Sequence, residues 1–259
     1  MRDFYENFYA ALARSQVHAE FCERVFGRNL GQHGFADMAQ IDALIGAAQL
    51  QPGQRALDLG CGNGMIAEYI SDCTGVHVTG LDYIPEAIRQ AQDRTAAKAD
   101  RLSFQVGDIN ALALADGAFD AMISIDSLYF SADYTLTIRQ LAQALKPGGQ
   151  MLFFFTHTRE PWVPKEEFPA ASILPDQTPL AAALKANGLN FQASDFTPDD
   201  YRIAQRRKQV LAELQPRFAA EGILFIYENR MGESQEIIRA IEEELHARYL
   251  YHVRLPGAP

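Results

Sequence analysis

Residues 55–64 read Arg-Ala-Leu-Asp-Leu-Gly-Cys-Gly-Asn-Gly, and this stretch decides the fold. Ala56, Leu57 and Leu59, interrupted by the single acid Asp58, make a short apolar strand that runs into Gly60, Gly62 and Gly64. Residues 65–70, MIAEYI, then take up helical spacing. Glycine serves where the backbone takes positive φ or must let a ligand approach with no Cβ in the way. The free N–H groups of a helix start favour electron-rich ligand groups. A strand, a glycine turn and a helix start together predict a site for a nucleotide-like ligand.

The next acid sharpens this. Residues 77–82, HVTGLD, predict a second strand ending in Asp82. Asp82 follows Gly60 at about the 20-residue offset where a carboxylate receives ribose hydroxyls in a βαβ unit. The turn is not GxGxxG and no phosphate-cradling lysine follows it, which weakens dinucleotide and P-loop readings.

The pattern resembles the class I S-adenosylmethionine-dependent methyltransferases. Their first motif, hydrophobic-D-hydrophobic-G-x-G-x-G, is here Leu57-Asp58-Leu59-Gly60-Cys61-Gly62-Asn63-Gly64. The resemblance continues through Leu81-Asp82-Tyr83, Gly107-Asp108-Ile109, FDAMIS at 119–124 and LKPGG at 145–149, covering roughly residues 55–156. It implies an α/β fold: a Rossmann-like seven-stranded sheet with helices on both faces and the last strand antiparallel. S-adenosyl-L-methionine is the implied cofactor and S-adenosylhomocysteine the product. Carried over residue by residue, the cofactor contacts are Asp58, Gly60, Cys61 and Gly62 at the turn, and Asp82 and Tyr83 at the ribose. Asp108 and Ile109 fall at the adenine, and Ile125 closes the set. FGRNLGQHGF at 26–35 is similar to a segment of the phosphoethanolamine methyltransferases that contacts the methionine end, which places Gly31 and Gln32 on the cofactor. A Gln amide can both donate to a carboxylate and accept from an ammonium. That family carries a catalytic histidine close to position 130, where this chain has Phe130, so its substrate is not carried over.

The 259 residues are read as one domain: an N-terminal helical lid at 1–48, a cofactor core at 55–156 and a substrate-side elaboration at 157–259. A formal net charge of −10 argues against tight nonspecific binding of nucleic acid, which needs Lys and Arg on phosphates. The three cysteines, Cys22, Cys61 and Cys73, form no C-x-x-C pair, so neither a disulfide framework nor a metal site is expected. No signal-peptide pattern and no run of 18 apolar residues is present, which predicts a cytoplasmic protein away from membranes.

Apolar spacing predicts one or two helices over 3–26, packed on the main domain or closing over the cofactor. Strands are expected at 102–106, 119–125, 150–155, 190–196 and 248–255, with helices at 133–145, 179–187, from 197 to about 220, and at 233–246. Thr197 is read as the N-cap of the third of these. Residues 159–179 contain five prolines and the single tryptophan, Trp162, and predict a functional loop in which Trp162 either anchors to the core or meets substrate. Arg202, Arg206, Arg207 and Lys208 are read as a solvated helix face, with an acidic-substrate clamp as the alternative. The helices before the last strand form a cap where substrate specificity is added.

Methyl transfer from a sulfonium needs alignment and exclusion of water more than acid–base help. A hydroxyl acceptor benefits from a base, whereas an amine only has to arrive deprotonated. His18, His33, His157, Tyr129 and Tyr201 are possible bases, and Tyr129, His157 and His18 are carried forward as catalytic residues. Tyr129 is expected to line the acceptor pocket, because it leaves the fourth strand beside the cofactor. The expected function is methylation of N or O on a small-molecule acceptor in a closed pocket. Methylation of protein or RNA, and a non-catalytic cofactor-binding module, remain the alternatives.

Overall fold

A computed structural model describes residues 2–160 and 162–257. Two helices, α1 (Arg2–Leu12) and α2 (Gln16–Phe26), precede α3 (Met38–Ala48). The core alternates β1 (Arg55–Leu59), α4 (Met65–Thr74), β2 (His77–Asp82), α5 (Pro85–Thr95), β3 (Leu102–Val106), β4 (Phe119–Ile125), α6 (Tyr134–Ala144) and β5 (Leu145–Thr158). After α7 (Pro179–Ala186) and β6 (Phe191–Asp195) come two long helices, α8 (Thr197–Ala220) and α9 (Leu224–Glu242), and then β7 (His246–Arg254).

The seven strands lie in the order β3-β2-β1-β4-β5-β7-β6. β1 pairs in parallel with β2 and β4, Asp58 lying opposite Gly80 on one side and Ile123 on the other. β7 runs antiparallel to both β5 and β6. The reversal of strand order at β1 and β4 opens a crevice at their carboxyl ends, where open α/β sheets hold ligands. Two apolar layers cover the sheet. One joins Leu57, Met122, Phe153 and Phe155 to α6 and α7, and the other joins Ala56, Val78, Ile123 and Phe154 to α4 and α5.

The cap has an apolar core of its own, made by Phe8, Phe21 and Val25 of α1 and α2 with Ile203, Leu211, Leu214, Phe218 and Ile226 of α8 and α9. The N-terminal helices and the inserted helices therefore form one body over the carboxyl edge, although nearly 200 residues separate them in the chain.

Several local expectations change in three dimensions. α9 begins at Leu224 rather than Glu233, because Phe225, Tyr227 and Met231 pack on the cap core and extend the helix backwards. Thr197 is the first residue of α8 rather than its cap; Asp195 accepts from the Thr197 N–H at 2.8 Å, and the Thr197 hydroxyl accepts from the Arg248 N–H at 3.0 Å. Arg207 is fully buried and not part of a solvated face, its guanidinium lying 4.0 Å from the Phe35 ring. Trp162 is 77% exposed, so it is not an anchor to the core.

Candidate active site

The glycines of the turn stand where a side chain would collide. A Cβ on Gly60 (φ +76°) would meet Ser127 Cβ at 2.2 Å, and one on Gly62 (φ +56°) would meet the Tyr9 hydroxyl at 2.6 Å. The turn is pinned from both sides. The Ser127 hydroxyl donates to the Leu59 carbonyl at 2.5 Å, and Asp82 Oδ2 accepts from the Gly62 N–H at 2.8 Å while Oδ1 accepts from Ile84 at 2.9 Å. The carboxylate at the end of β2 thus shapes the turn.

These elements enclose a cavity of about 410 Å³. Leu59, Gly60, Cys61, Gly62 and Asn63 form its floor; Asp82, Tyr83, Asp108, Ile109 and Asn110 line it from β2 and β3, and Ile125, Asp126, Ser127 and Phe130 from β4 and the turn after it. Tyr5 and Tyr9 of α1 and residues 30–34 of the loop before α3 form the roof. Arg2 reaches across to lie 4.9 Å from the Tyr83 ring, which brings the start of α1 to the end of β2.

Of the residues expected from sequence to touch a cofactor, Gly31, Gln32, Gly60, Cys61, Gly62, Asp82, Tyr83, Asp108, Ile109 and Ile125 all line this cavity. Gln32 spends its amide locally, Oε1 accepting from the Leu30 N–H at 2.9 Å and Nε2 donating to the Arg28 carbonyl at 3.2 Å. Asp108 Oδ1 accepts from the Asn110 N–H at 2.8 Å. The Cys61 thiol is buried, and its pKa is raised first by burial and then by Asp58 and Asp82.

Asp58 lies beneath the turn, 3% exposed. Burial pushes its carboxyl up to about 7, and the nearby Asp82 pushes the same way. The folded state therefore holds a proton on Asp58 that the unfolded chain releases near its ordinary value, and stability falls as pH rises from about 4 to about 7. Asp58→Asn removes this dependence. Between pH 5 and pH 8 the ligand-free parent is expected to lose about 2 to 3 kcal/mol relative to the variant in denaturant titrations, and parallel curves would refute the assignment. A cationic ligand above Asp58 favours its charged form, so binding of such a ligand to the parent should tighten over the same pH range.

The three residues carried forward as catalytic do not line the cavity. His18 is buried in the cap, where its Nε2 lies 2.9 Å from Arg230 Nη2. Burial first, and Arg230 next, lower its pKa well below the ordinary value, so it serves as a neutral acceptor for that guanidinium. His157 lies towards the end of β5 with Nε2 3.0 Å from the Ser172 hydroxyl and its ring stacked on Phe168. Tyr129 is 39% exposed and packs on Phe130 at 4.7 Å between ring centroids; it is Phe130 that lines the cavity. The chain takes a short 3-10 turn over Leu128–Phe130, which reverses the alternation expected of an extended strand end.

Sequence reasoning passed over Asp126. It has φ +54°, a left-handed conformation rare for residues with a side chain, and a Cβ on Gly34 would lie 2.2 Å from its Oδ2. Its carboxylate accepts from the Phe35 N–H at 2.8 Å and pairs with both terminal nitrogens of Arg248, which is itself buried. Arg248 Nε lies 3.0 Å from Gln40 Oε1 and 3.3 Å from Asp200 Oδ1, and Asp200 Oδ2 lies 3.1 Å from His246. Burial works against the charge on Arg248, but Asp126 and Asp200 outweigh it and hold the guanidinium charged. The sequence sign of this network is an arginine flanked by Ala247 and Tyr249 in the last strand.

Residues 56–149 match the family model described as a methyltransferase domain. A 27-O-demethylrifamycin SV methyltransferase of Amycolatopsis mediterranei is 34% identical over 146 residues, which is 51% of this chain and 53% of that protein. A phosphoethanolamine N-methyltransferase of Triticum aestivum is 32% identical over 151 residues, 57% of this chain and 29% of that protein. The chain spans about half or less of the length of these curated relatives. Among solved structures, phosphoethanolamine N-methyltransferase 2 of Haemonchus contortus, in complex with phosphomonomethylethanolamine and S-adenosylhomocysteine, superposes with a TM-score of 0.77 at 21% identity. That superposition covers 96% of this chain and 60% of the other. Over residues 56–149 the chain is similar to a methyltransferase domain, and its fold is that of the class I S-adenosylmethionine-dependent methyltransferases.

No helix among the described residues is long and apolar enough to cross a membrane.

Proposed function

We propose that the chain transfers a methyl group from S-adenosyl-L-methionine to an N or O atom of a small-molecule acceptor, releasing S-adenosylhomocysteine. The observation that carries this reading is one cavity with Gly60 and Gly62 in its floor, bordered by the acids Asp82 and Asp108 at successive strand ends, with the buried Asp58 beneath. Asp82 suits a ribose diol and Asp108 with Ile109 an adenine edge. Arg2 is the one Lys or Arg side chain among the lining residues, and it lies against Tyr83, so the donor set fits a cationic nucleoside better than a nucleotide phosphate. Bound there, the cofactor supplies a methyl group already activated as a sulfonium. The protein's part is to hold the acceptor in line and keep water out, which the roof of α1 and residues 30–34 is placed to do.

Calorimetry with S-adenosylhomocysteine tests the first half of the reading, and absence of binding overturns it. The second half is tested by incubation with methyl-labelled S-adenosylmethionine and a cell extract. Label is expected in the low-molecular-weight fraction, and label in protein or RNA instead would overturn the small-molecule assignment.

A further inference from the structure

The glycine turn offers a ligand few backbone donors. The N–H groups of Gly60 and Cys61 both donate to the Leu81 carbonyl, at 2.7 and 3.0 Å, that of Gly62 donates to Asp82 at 2.8 Å, and that of Gly64 to the Cys61 carbonyl at 3.0 Å. Above the turn, the Gly31 N–H donates to Asn29 Oδ1 at 3.0 Å, and the Gln32 amide is committed to Leu30 and Arg28. Asp126 is engaged with Arg248, and Ser127 with the Leu59 carbonyl. Arg2, the one Lys or Arg side chain lining the cavity, is held by Glu6 and Tyr83.

Two side chains over the turn keep hydrogen-bonding capacity. Tyr9 is 7% exposed and Asn63 8% exposed, both line the cavity, and neither the Tyr9 hydroxyl nor the Asn63 side-chain amide has a partner among the described residues. Neither group is among the polar atoms enclosed without a partner, as His33 Nε2 is, so each keeps surface open. Their positions are fixed. A Cβ on Gly62 would lie 2.6 Å from the Tyr9 hydroxyl, and one on Gly31 would lie 2.8 Å from Asn63 Nδ2. Gln90 donates to the Tyr9 carbonyl at 2.8 Å and Arg94 to the Asn63 carbonyl at 2.7 Å, so α5 of the core holds both backbones. Burial first, and Asp82 next, raise the Tyr9 pKa well above its ordinary value, so the hydroxyl keeps its proton and can donate. Buried polar groups in a native fold are hydrogen-bonded, and these two call for a partner.

Resting on the methyltransferase reading above, we propose that Tyr9 and Asn63 bind the amino-acid end of the cofactor, the Tyr9 hydroxyl and the Asn63 amide donating to its carboxylate, and that they make the site selective against nucleosides lacking that end. The chemistry selects this part of the ligand. A ribose diol and an adenine amino group bring donors of their own, which suit the acceptors Asp82 and Asp108. The carboxylate is the one anionic group of the cofactor. A charge taken out of water must be paired or hydrogen-bonded, and the only cation of the lining is already committed. A phenol and an amide that no protein group engages meet that need. Tyr5, one helical turn before Tyr9, lies against Phe130 and His33 instead of over the turn.

The test compares S-adenosylhomocysteine with methylthioadenosine, which keeps the nucleoside and the sulfur and lacks the amino-acid end. By calorimetry the parent is expected to prefer S-adenosylhomocysteine by about 100-fold or more, the effect of two hydrogen bonds to a charged group. In Tyr9→Phe that affinity should fall about tenfold while affinity for methylthioadenosine stays within about twofold, which also shows that the variant is folded. Asn63→Ala should act in the same direction, and the double variant should lose most of the preference. Equal weakening of both ligands by Tyr9→Phe, or no change in either, overturns the proposal, as does a parent that binds the two alike; each of these results leaves the methyltransferase reading standing. A parent that binds neither ligand overturns that reading itself.

Discussion

Replacing Asp82 by alanine is expected to weaken S-adenosylhomocysteine binding by about 100-fold or more in calorimetry. On the proposed reading the carboxylate at the end of β2 would supply two charge-assisted hydrogen bonds to a ribose diol, each worth about 1.5 to 3 kcal/mol, so their joint loss is at least about 3 kcal/mol. The structure adds a second cause. Both carboxylate oxygens also accept backbone N–H groups, from Gly62 and from Ile84, and the variant leaves those donors without their partner. Asp82→Asn separates the two contributions, because its single carbonyl oxygen keeps one acceptor without the charge. Binding of the alanine variant within a few-fold of the parent would place the ribose elsewhere.

Arg248→Met is expected to cost about 3 to 5 kcal/mol of stability, the penalty for removing one partner of a buried ion pair. The guanidinium is 1% exposed and stands between Asp126 and Asp200, so its removal strands two buried carboxylates. For a chain of this size the melting temperature should fall by about 6 to 20 °C. Cofactor affinity should fall with it, because Asp126 lines the cavity and accepts from the Phe35 N–H of the roof loop. The double variant Arg248→Met with Asp126→Asn should recover part of the lost stability. A melting point within about 2 °C of the parent would show that the network specifies geometry without stabilising it.

The cofactor half was legible in the chain because its determinants are local. Gly60 and Gly62 are read from the turn itself, and Asp82 from its offset along one βαβ unit. The cavity unites the expected turn, ribose and adenine residues, apart from Asp58 just beneath the turn. The bases could not be read in the same way. His18, His33 and His157 look alike in sequence, each a lone histidine with no motif spacing to select it. They differ only in what the fold sets beside them: Arg230 of α9 for His18, Ser172 for His157, and the rings of Phe8 and Tyr5 for His33.

The sequence by itself determined the core strands, the glycine turn, the acids at strand ends and the presence of inserted helices, since each follows from spacing within a few tens of residues, whereas the sheet architecture was implied by the family resemblance. Tertiary structure alone decided that Phe130 and not Tyr129 lines the cavity, that Arg207 and Arg230 are buried under the roof loop, and that Arg248 of the last strand holds Asp126 at the end of the fourth. Those outcomes rest on pairings between residues about 120 to 200 positions apart in the chain. A carboxylate or guanidinium carries no sign of burial in its local sequence. Whether it is solvated, stranded or paired depends on which distant group the packed fold brings within hydrogen-bonding reach.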